Sequence, residues 1–313
     1  MPFRLDDYID SDVAYLAGLI IARGTLEGSP QRRLIVEFPY SSLRATGVAL
    51  SFDQEHSIRL GLNDIRERMA ELLDTDIQIV RHTSKIDFVV TFIRNNMIWR
   101  NILLLTDGAT SFPHFTVPTV FFDPELPTDY TLQFIRGYGD AAGNVRKSNL
   151  YVDGRHRVRL DVLNYSTNWE LPVSICRLLQ DRLEIPIHLI SWGHPNLGRD
   201  FREHQINIFA EVYLGIGFSF DHKQRILEEL AAINAKRVPY VEPRPCPGVR
   251  AAHGKKPKND EESNSGRLDP RLVGEHFDGY WEICKRLGCN KVPPDDGQIT
   301  LEFVDETSGD GEE

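Results

Sequence analysis

Apolar positions along the first third of the chain change their spacing in a regular order. Helical spacing, with apolar residues three and four apart, alternates with pairs of segments in which every second residue is apolar. The segments are a helix at 11–23, a strand at 31–39, an extended run at 46–53, a helix at 57–74, strands at 76–82 and 85–93, and a helix at 95–105. This αββαββα order predicts an α+β fold.

The same order returns in the second half of the chain. Thr128 is a suitable N-cap for the helix that opens it. The segments are a helix at 128–142, extended segments at 146–152 and 155–164, a helix at 170–183, strands at 185–192 and 204–210, and helical sequence through 211–234. A repeated order of elements indicates an internal duplication.

Composition marks the boundaries between these units. The segment 111–127 contains four prolines and is interpreted as the linker between a first unit at 1–110 and a second unit at 128–236. Residues 237–290 combine a connector rich in Pro, Gly, Lys and Asn with a small helical extension. Residues 291–313 form an acidic tail.

Each unit opens with a nine-residue stretch of the same kind, LAGLIIARG at 16–24 and IRGYGDAAG at 135–143. Gly18 and Gly137 hold the third place in these stretches, in the middle of a helix, where glycine costs about 1 kcal/mol relative to alanine. A helix carries that cost where another backbone must come close. The two helices are therefore predicted to pack on each other as a pseudo-twofold pair.

Both stretches resemble the signature of LAGLIDADG homing endonucleases, and the resemblance covers about residues 10–235. It implies an α+β fold in which two pseudo-symmetric αββαββα units form a DNA-binding saddle, here with a small C-terminal extension. It also implies a monomer whose partner is double-stranded DNA, with Mg²⁺ as the cofactor when the protein is an active enzyme. In the family, the acid at the eighth place of each stretch holds the metal.

The eighth place is occupied by Arg23 in the first stretch and by Ala142 in the second. A guanidinium has no lone pair to offer a metal, and a methyl group offers nothing. Cleavage is therefore expected to be lost or weakened. Asp140, Glu27 and Asp12 are the nearby acids that remain as substitute ligands. Ala142 itself is either natural or an engineered replacement of an aspartate.

Arg23 has two interpretations of equal weight. Its guanidinium binds a DNA phosphate directly, with the small Ala142 opposite it leaving room, and so supplies a positive charge without the metal's chemistry. Alternatively, Arg23 forms a structural ion pair with Asp140 or Glu27.

Charged side chains alternate with apolar ones along several of the expected strands. At 155–162, arginines at every second position alternate with Val158, Leu160 and Val162, which places three arginines on one face. Arginine suits guanine edges and phosphates, although a solvated strand face gives the same pattern. The residues expected to contact DNA are Arg33, Lys85, Arg146, Lys147, Arg155, Arg157, Arg159, Arg199 and Arg202.

A net charge of −10 argues against a nucleic-acid binder, because phosphate contacts need Lys and Arg. Most of that charge lies at 291–313, where there are eight acidic residues and one lysine. This tail carries −7 of the −10, so the other 290 residues carry only −3. Basic patches on the remaining body are compatible with that balance.

The chain has no run of about 18 apolar residues, so no membrane span is expected. The N-terminus lacks the apolar stretch of a secretory signal, so none is expected there. Four cysteines in 313 residues favour an intracellular, reducing compartment over a disulfide framework. Cys246, His253, Cys284 and Cys289 are candidate ligands for a structural Zn²⁺, with His276 as a substitute ligand. Their spacing is wider than in common zinc sites, and buried thiols are the alternative.

The leading hypothesis is sequence-specific binding of double-stranded DNA by a protein that resembles LAGLIDADG homing endonucleases, with cleavage lost or weakened. One alternative is an active metal-dependent endonuclease that uses non-standard acids. The other is an RNA-binding intron maturase built on the same scaffold.

Overall fold

The computed structural model describes residues 9–49, 53–93, 96–147, 156–165, 170–187, 189–191, 201–236 and 267–268. The first unit contains four helices and four strands within these ranges. They are α1 (Ser11–Arg23), β1 (Gly24–Glu27), β2 (Arg32–Pro39), α2 (Tyr40–Leu43), α3 (Gln54–Leu73), β3 (Ile77–Arg81), β4 (Lys85–Phe92) and α4 (Asn96–Leu105). The strands form an antiparallel sheet in the order β1-β2-β4-β3.

Two short 3₁₀ turns, Phe112–His114 and Thr119–Phe122, lead to the second unit. Its elements are α5 (Thr128–Ala142), β5 (Gly143–Arg146), β6 (Arg157–Tyr165), α6 (Glu170–Arg177), β7 (Leu189–Ser191), β8 (Phe201–Phe209), α7 (Ala210–Tyr213), α8 (Asp221–Ala235) and β9 (Arg267–Leu268). The second sheet is antiparallel, in the order β5-β6-β8-β7-β9. The predicted α+β class and the duplicated order of elements are confirmed.

Alternating side chains give each sheet one face buried against the helices. On β4, Ile86, Phe88, Val90 and Phe92 all lie in the core. On β6, Val158, Leu160 and Val162 are fully buried. Because successive strand residues point to opposite faces, the intervening polar residues lie on the outer face of each sheet, away from the helices.

Helices α1 and α5 pack against each other through their backbones at the centre of the molecule. A Cβ atom on Gly18 would overlap the carbonyl oxygen of Phe134 and press on the amide of Tyr138. A Cβ atom on Gly137 would overlap the carbonyl oxygen of Tyr15. The predicted pseudo-twofold pair is thus present. Glycine is needed at both positions because no larger residue permits so close an approach.

The prediction of an extended run at 46–53 is wrong for the residues of this range that the structure describes. The amides of Val48 and Ala49 donate to Glu229 Oε1 of α8, at 2.8 and 2.5 Å. A side chain thus takes the backbone donors that strand pairing would need. The first sheet instead uses β1, a four-residue strand that follows α1 directly and that the sequence pattern did not indicate.

Several predicted boundaries in the second unit also differ. Thr128 is the first helical residue, and the N-cap is Pro127, which makes no side-chain hydrogen bond. The predicted helix at 170–183 ends in a π-helical turn, Leu178–Arg182. The helical sequence at 211–234 is divided into α7 and α8 by a turn in which Gly217 has a φ of +66°, a conformation that favours glycine.

Two more strands differ from the predicted extents. β5 begins at Gly143, directly after α5, rather than at 146. β9 lies in the segment interpreted as a connector and pairs with β7, Ile190 opposite Leu268. The helical extension and the acidic tail lie outside the described residues. Within the part that is described, no helix has the length and apolar character to cross a bilayer.

Replacing Gly18 or Gly137 with alanine should destabilise the protein, since the added methyl group would force the two backbones apart. Overpacking of this kind costs about 1–3 kcal/mol or more. Urea unfolding of each variant measures the loss. Gly28→Ala is the matched control, because a Cβ there meets no atom within 4 Å. Equal stability of the Gly18→Ala and Gly28→Ala variants would contradict the proposed close approach.

Candidate nucleic-acid interface

The two central helices are parallel, so their C-terminal ends lie side by side. The helices cross where Gly18 of α1 contacts Phe134 and Tyr138, and Gly137 of α5 contacts Tyr15 and Leu19. Their N-terminal turns also meet, because Ser11 Oγ donates to Asp129 Oδ2 at 3.2 Å, so both helices run in the same direction. The eighth places of both motifs therefore lie at one end of the pair.

A glycine ends each helix and opens the strand that follows. Gly24 N donates to Ile20 O, and Gly143 N donates to Gly139 O. A Cβ atom on either glycine would press on that same carbonyl group. The ninth place of the motif thus needs glycine for a steric reason. The tight exit turns each chain directly from its helix into the first strand of its sheet.

Arg23 is 5% exposed at the end of α1, and its guanidinium lies 5.7 Å from the centre of the Phe112 ring. Its Nε atom has no hydrogen-bond partner within the described part of the chain. Arg23 does not form the alternative ion pair with Glu27 or Asp140. Glu27 pairs with Arg33, and Asp140 accepts hydrogen bonds from Tyr15 and Ser219. The charge of Arg23 suits the negative C-terminal ends of two helix dipoles.

Asp140 is fully buried at the sixth place of the second motif. Its Oδ2 accepts a hydrogen bond of 2.7 Å from the Tyr15 hydroxyl, and its Oδ1 accepts one of 3.1 Å from the Ser219 amide. Burial raises the pKa of this carboxyl, and Lys223 and the hydrogen bonds oppose that rise. Asp140 therefore links α1 to α5 and to the turn before α8, and its oxygens are already engaged.

Lys223 brings a second buried cation to the same end of the helix pair. Its Nζ donates to the Gly139 and Asp140 carbonyl oxygens, both at 3.3 Å, and lies 4.7 Å from the centre of the Phe218 ring. Burial lowers the pKa of Lys223 to about 8, although Asp140 and Asp161 oppose that shift. The sequence carried no sign of this role, because the residue lies on α8, about 80 positions from the carbonyls it binds.

The side chains at this end do not fit the divalent metal that the family resemblance implies. No group of three or more His, Cys, Asp or Glu side chains is close enough to hold a metal anywhere in the described ranges. Asp12 lies at the opposite end of α1, about 16 Å away by the helical rise, and Arg68 Nε binds its Oδ1 at 2.6 Å. Cations already occupy the place where a metal's positive charge would be needed.

The arginines expected on the second sheet are only partly described. Arg157 and Arg159 are half-buried on the outer face of β6. Arg146 is in register with Arg157, and Lys147 is exposed just after β5. The side chain of Arg202 on β8 is not described, and Arg155 and Arg199 lie outside the described residues.

On the first sheet, both expected DNA contacts are ion-paired. Arg33 pairs with Glu27 across β1 and β2. Lys85 Nζ lies 2.6 Å from Glu37 Oε1 and 3.3 Å from Asp87 Oδ1. The structure therefore places Arg33 and Lys85 on the predicted face, each paired with an acid of a neighbouring strand, Glu27 or Glu37, and these cross-strand pairings were not predicted.

The candidate zinc ligands Cys246, His253, Cys284 and Cys289 lie outside the described residues, as does His276. Cys176 is described, and it is a fully buried thiol on α6. Burial raises the pKa of this thiol well above its usual value, which suits a packing role.

No protein-family model and no curated protein matches the chain. Among solved structures, I-DmoI in complex with DNA and Mn is similar at 16% identity and a TM-score of 0.38, over 73% of this chain and 98% of that one. Full-length DUF199/WhiA from Thermatoga maritima is similar at 14% identity and a TM-score of 0.40, over 77% and 65%. The N-terminal LAGLIDADG domain of DUF199/WhiA is similar at 18% identity and a TM-score of 0.34, over 66% of this chain and 78% of that one.

These values are too low to support a function. The chain's own features, its paired glycine helices and its duplicated antiparallel sheets, give it a LAGLIDADG-like fold.

Lys223→Met should remove a pH-dependent penalty from the folded state. The folded protein resists protonating Lys223, so the penalty is fully present below about pH 8 and is relieved as the pH rises toward the ordinary lysine value of 10.5. The stability of the native chain relative to the variant should therefore rise across this window, by at most about 1.4 kcal/mol per pH unit. Denaturant unfolding of both proteins between pH 7 and 10.5 measures this difference in stability. Profiles of stability against pH that run parallel would refute the predicted role of Lys223.

Proposed function

We propose that this protein binds double-stranded DNA and does not cleave it efficiently. The observation that carries the proposal is the pair of buried cations, Arg23 and Lys223, at the adjoining C-terminal ends of α1 and α5. In LAGLIDADG endonucleases, which the two motifs resemble, acids at these helix ends hold divalent metal. Here the positive charge is built into the protein.

Charge supports the binding half of the proposal. Two parallel helix C-termini concentrate partial negative charge, which would repel a phosphate backbone. Arg23 and Lys223 offset that charge, and Arg157 and Arg159 lie on the outer face of the adjoining second sheet. Arginines of this kind neutralise phosphates and read guanine edges.

The missing ligands support the second half of the proposal. Hydrolysis of a phosphodiester requires cations that activate water and stabilise the leaving oxygen, and an arginine fixed in place does not activate water. Ala142 is fully buried and offers no ligand atom. Of the substitute acids, Asp140 is bound by Tyr15 and Ser219, Glu27 pairs with Arg33, and Asp12 is at the far end of α1.

The same residues bear on the use of a divalent metal. Mg²⁺ would be the cofactor of an active form, but we infer that duplex binding by this chain needs no divalent metal. An active endonuclease that uses non-standard acids, and an RNA-binding maturase, are outcomes that the experiments below distinguish.

The direct test is to select bound duplexes from a random DNA pool with the full chain and to measure their affinity at matched ionic strength. Affinity should be the same with EDTA and with Mg²⁺, because Arg23 and Lys223 supply the charge that a metal would bring. Tighter binding to structured RNA than to any selected duplex would overturn the assignment to DNA. A requirement for Mg²⁺ would overturn metal-independent binding.

The selected duplexes should remain uncut in Mg²⁺ or Mn²⁺, since no carboxylate is placed to hold the ion. Ala142→Asp supplies one carboxylate and should still give no double-strand cutting, because Arg23 continues to occupy the other place. Ala142→Asn, which has the same size and no charge, is the matched control. Rapid metal-dependent cutting by the unaltered chain would show that Asp140, Glu27 or Asp12 acts as a ligand after all.

A further inference from the structure

Three of the four outer edges of the two sheets are covered by other backbone. At the β1 edge of the first sheet, Leu26 N donates to Thr110 O at 2.7 Å, and Thr25 forms a bridge with Ser111. On the second sheet, Thr46 joins the end of β5 through backbone hydrogen bonds of 3.0 and 2.8 Å, and β9 pairs with β7 at the other edge. Covered edges cannot pair with a strand of another molecule.

The fourth edge is β3 of the first sheet, and no strand among the described residues covers it. β3 pairs with β4 on one side only. It is the counterpart of β7, because the two sheets have the equivalent orders β1-β2-β4-β3 and β5-β6-β8-β7-β9. Ile79 and Val80 of β3 are 40% and 39% exposed. This edge therefore presents both open backbone and large apolar side chains.

The hydrogen bonding of the β3–β4 hairpin shows which backbone groups of β3 are open. His82 N, just after β3, donates across the hairpin to the first residue of β4 at 2.9 Å. In an antiparallel pair, every second residue bonds to the partner strand, so Val80 and Gln78 also bond to β4. The N–H and C=O groups of Ile79 and Arg81 therefore point to the open edge.

An open cleft of about 520 Å³ lies beneath β3, between its inner face and helix α3. The side chains of Ile79 and Arg81 point into this layer, because they share a strand face with the buried Ile77. The apolar part of the cleft is formed by Ile58, Leu62, Ile79 and Ile86. Within the described part of the chain, no further strand extends the sheet over this space.

The cleft also carries two arginines that lack a carboxylate partner among the described residues. They are Arg59 of α3 and Arg81 of β3. The two acids that line the cleft are engaged elsewhere, since Asp53 caps the N-terminus of α3 and Glu55 lies 3.6 Å from Arg44. A strand that carries both apolar side chains and acids would therefore complement this edge.

The sequence at 298–304, QITLEFV, has that composition. Ile299, Leu301 and Phe303 alternate with Thr300 and Glu302, which is the pattern of a strand with one apolar face. Of the eight acids at 291–313, two precede this segment and five follow it. The segment lies outside the described residues, so its pairing is inferred from its sequence.

The connecting chain is long enough to bring this segment to β3. The last described residue is Leu268 of β9, and residues 269–297 separate it from the segment. A connector of this length spans up to about 95 Å when extended. A folded body of the size of residues 1–236 has a radius of gyration of only about 18 Å. The segment can therefore reach either sheet.

We propose that residues 298–304 pair with β3 as an additional edge strand of the first sheet. Their three apolar side chains pack in the cleft against α3, and the flanking acids lie beside Arg59 and Arg81. Acids stand on both sides of the segment, so a carboxylate reaches Arg81 in either strand direction. The C-terminal region thus covers β3 in the way that β9 covers β7. This inference does not depend on the proposed DNA binding.

A second copy of the chain is the competing occupant of this edge, because two β3 strands could pair across a twofold axis. β3 has the sequence IQIVR and contains no acid, so a second copy would bring no carboxylate to Arg59 and Arg81 through this strand. The chain's own segment is also tethered, which gives it a high effective concentration at the edge.

The test compares amide hydrogen exchange in the full chain and in a chain that ends at residue 290, measured by NMR for single residues. The Ile79 and Arg81 amides should exchange about tenfold or more slowly in the full chain, because only there do they have an acceptor. The Gln78 and Val80 amides, bonded to β4 in both chains, are the internal control and should change far less. Equal rates for Ile79 and Arg81 in the two chains would overturn the proposal.

A matched pair of variants separates strand pairing from the charge of the tail. Leu301→Lys removes an apolar contact and places a cation beside Arg59 and Arg81, so exchange of the Ile79 amide should rise towards that of the shortened chain. Thr300→Lys adds the same charge on the opposite strand face and should preserve the protection. Equal effects of the two variants would show that the segment does not act as a strand.

Protein concentration distinguishes the second copy from the chain's own segment. Protection of Ile79 and Arg81 should be independent of concentration, and analytical ultracentrifugation should show a monomer under the same conditions. Protection that increases with concentration together with a dimer would assign the edge to a second copy and overturn the proposal. Fast exchange of both amides in the full chain at every concentration would show that the edge is open.

Discussion

The close approach of α1 and α5 at Gly18 and Gly137 is the constraint on which the rest of the structure depends. Backbone contact at two reciprocal points fixes the spacing of the helices, and the hydrogen bond between Ser11 and Asp129 joins their N-terminal ends. Parallel helices end side by side, and each chain then enters a sheet through a glycine, Gly24 or Gly143. The sheets and the helix ends therefore take their positions from one crossing, and a methyl group at that crossing would disturb all of them.

Parallel packing of α1 and α5 brings like partial charges together, and nearby side chains offset them. Two helix C-termini side by side place partial negative charges next to each other, and burial strengthens their repulsion. Arg23 lies in the last turn of α1, and Lys223 donates to carbonyl oxygens in the last turn of α5. Buried Asp140 in turn offsets the charge of Lys223. The partial charges at the helix ends are thus offset by side chains of the protein itself.

Local signals predicted the parts of this structure that depend on near neighbours. The apolar spacing at 11–23 and 128–142 predicted both central helices, and the two glycines predicted their contact. The alternation along β4 and β6 predicted which face is buried. The contacts of Lys223 with Gly139, of Glu229 with the amides of Val48 and Ala49, and of Glu37 with Lys85 could not be predicted in this way. They depend on which residues the finished fold brings together, and in most cases the partners are 48 to 181 positions apart in the chain.

Equivalent motif positions show how the two copies diverged while sharing one interface. Tyr15 corresponds to Phe134, and Ile21 corresponds to Asp140, so the hydroxyl–carboxylate bond between Tyr15 and Asp140 has an apolar counterpart across the pseudo-twofold axis. Arg23 corresponds to Ala142, a large cation matched by a small residue. Both side chains are buried, so the small Ala142 leaves more of this space to the large Arg23. At these three places a polar group in one copy is matched by an apolar or small residue in the other, and the pseudo-symmetric backbone carries an asymmetric set of charges.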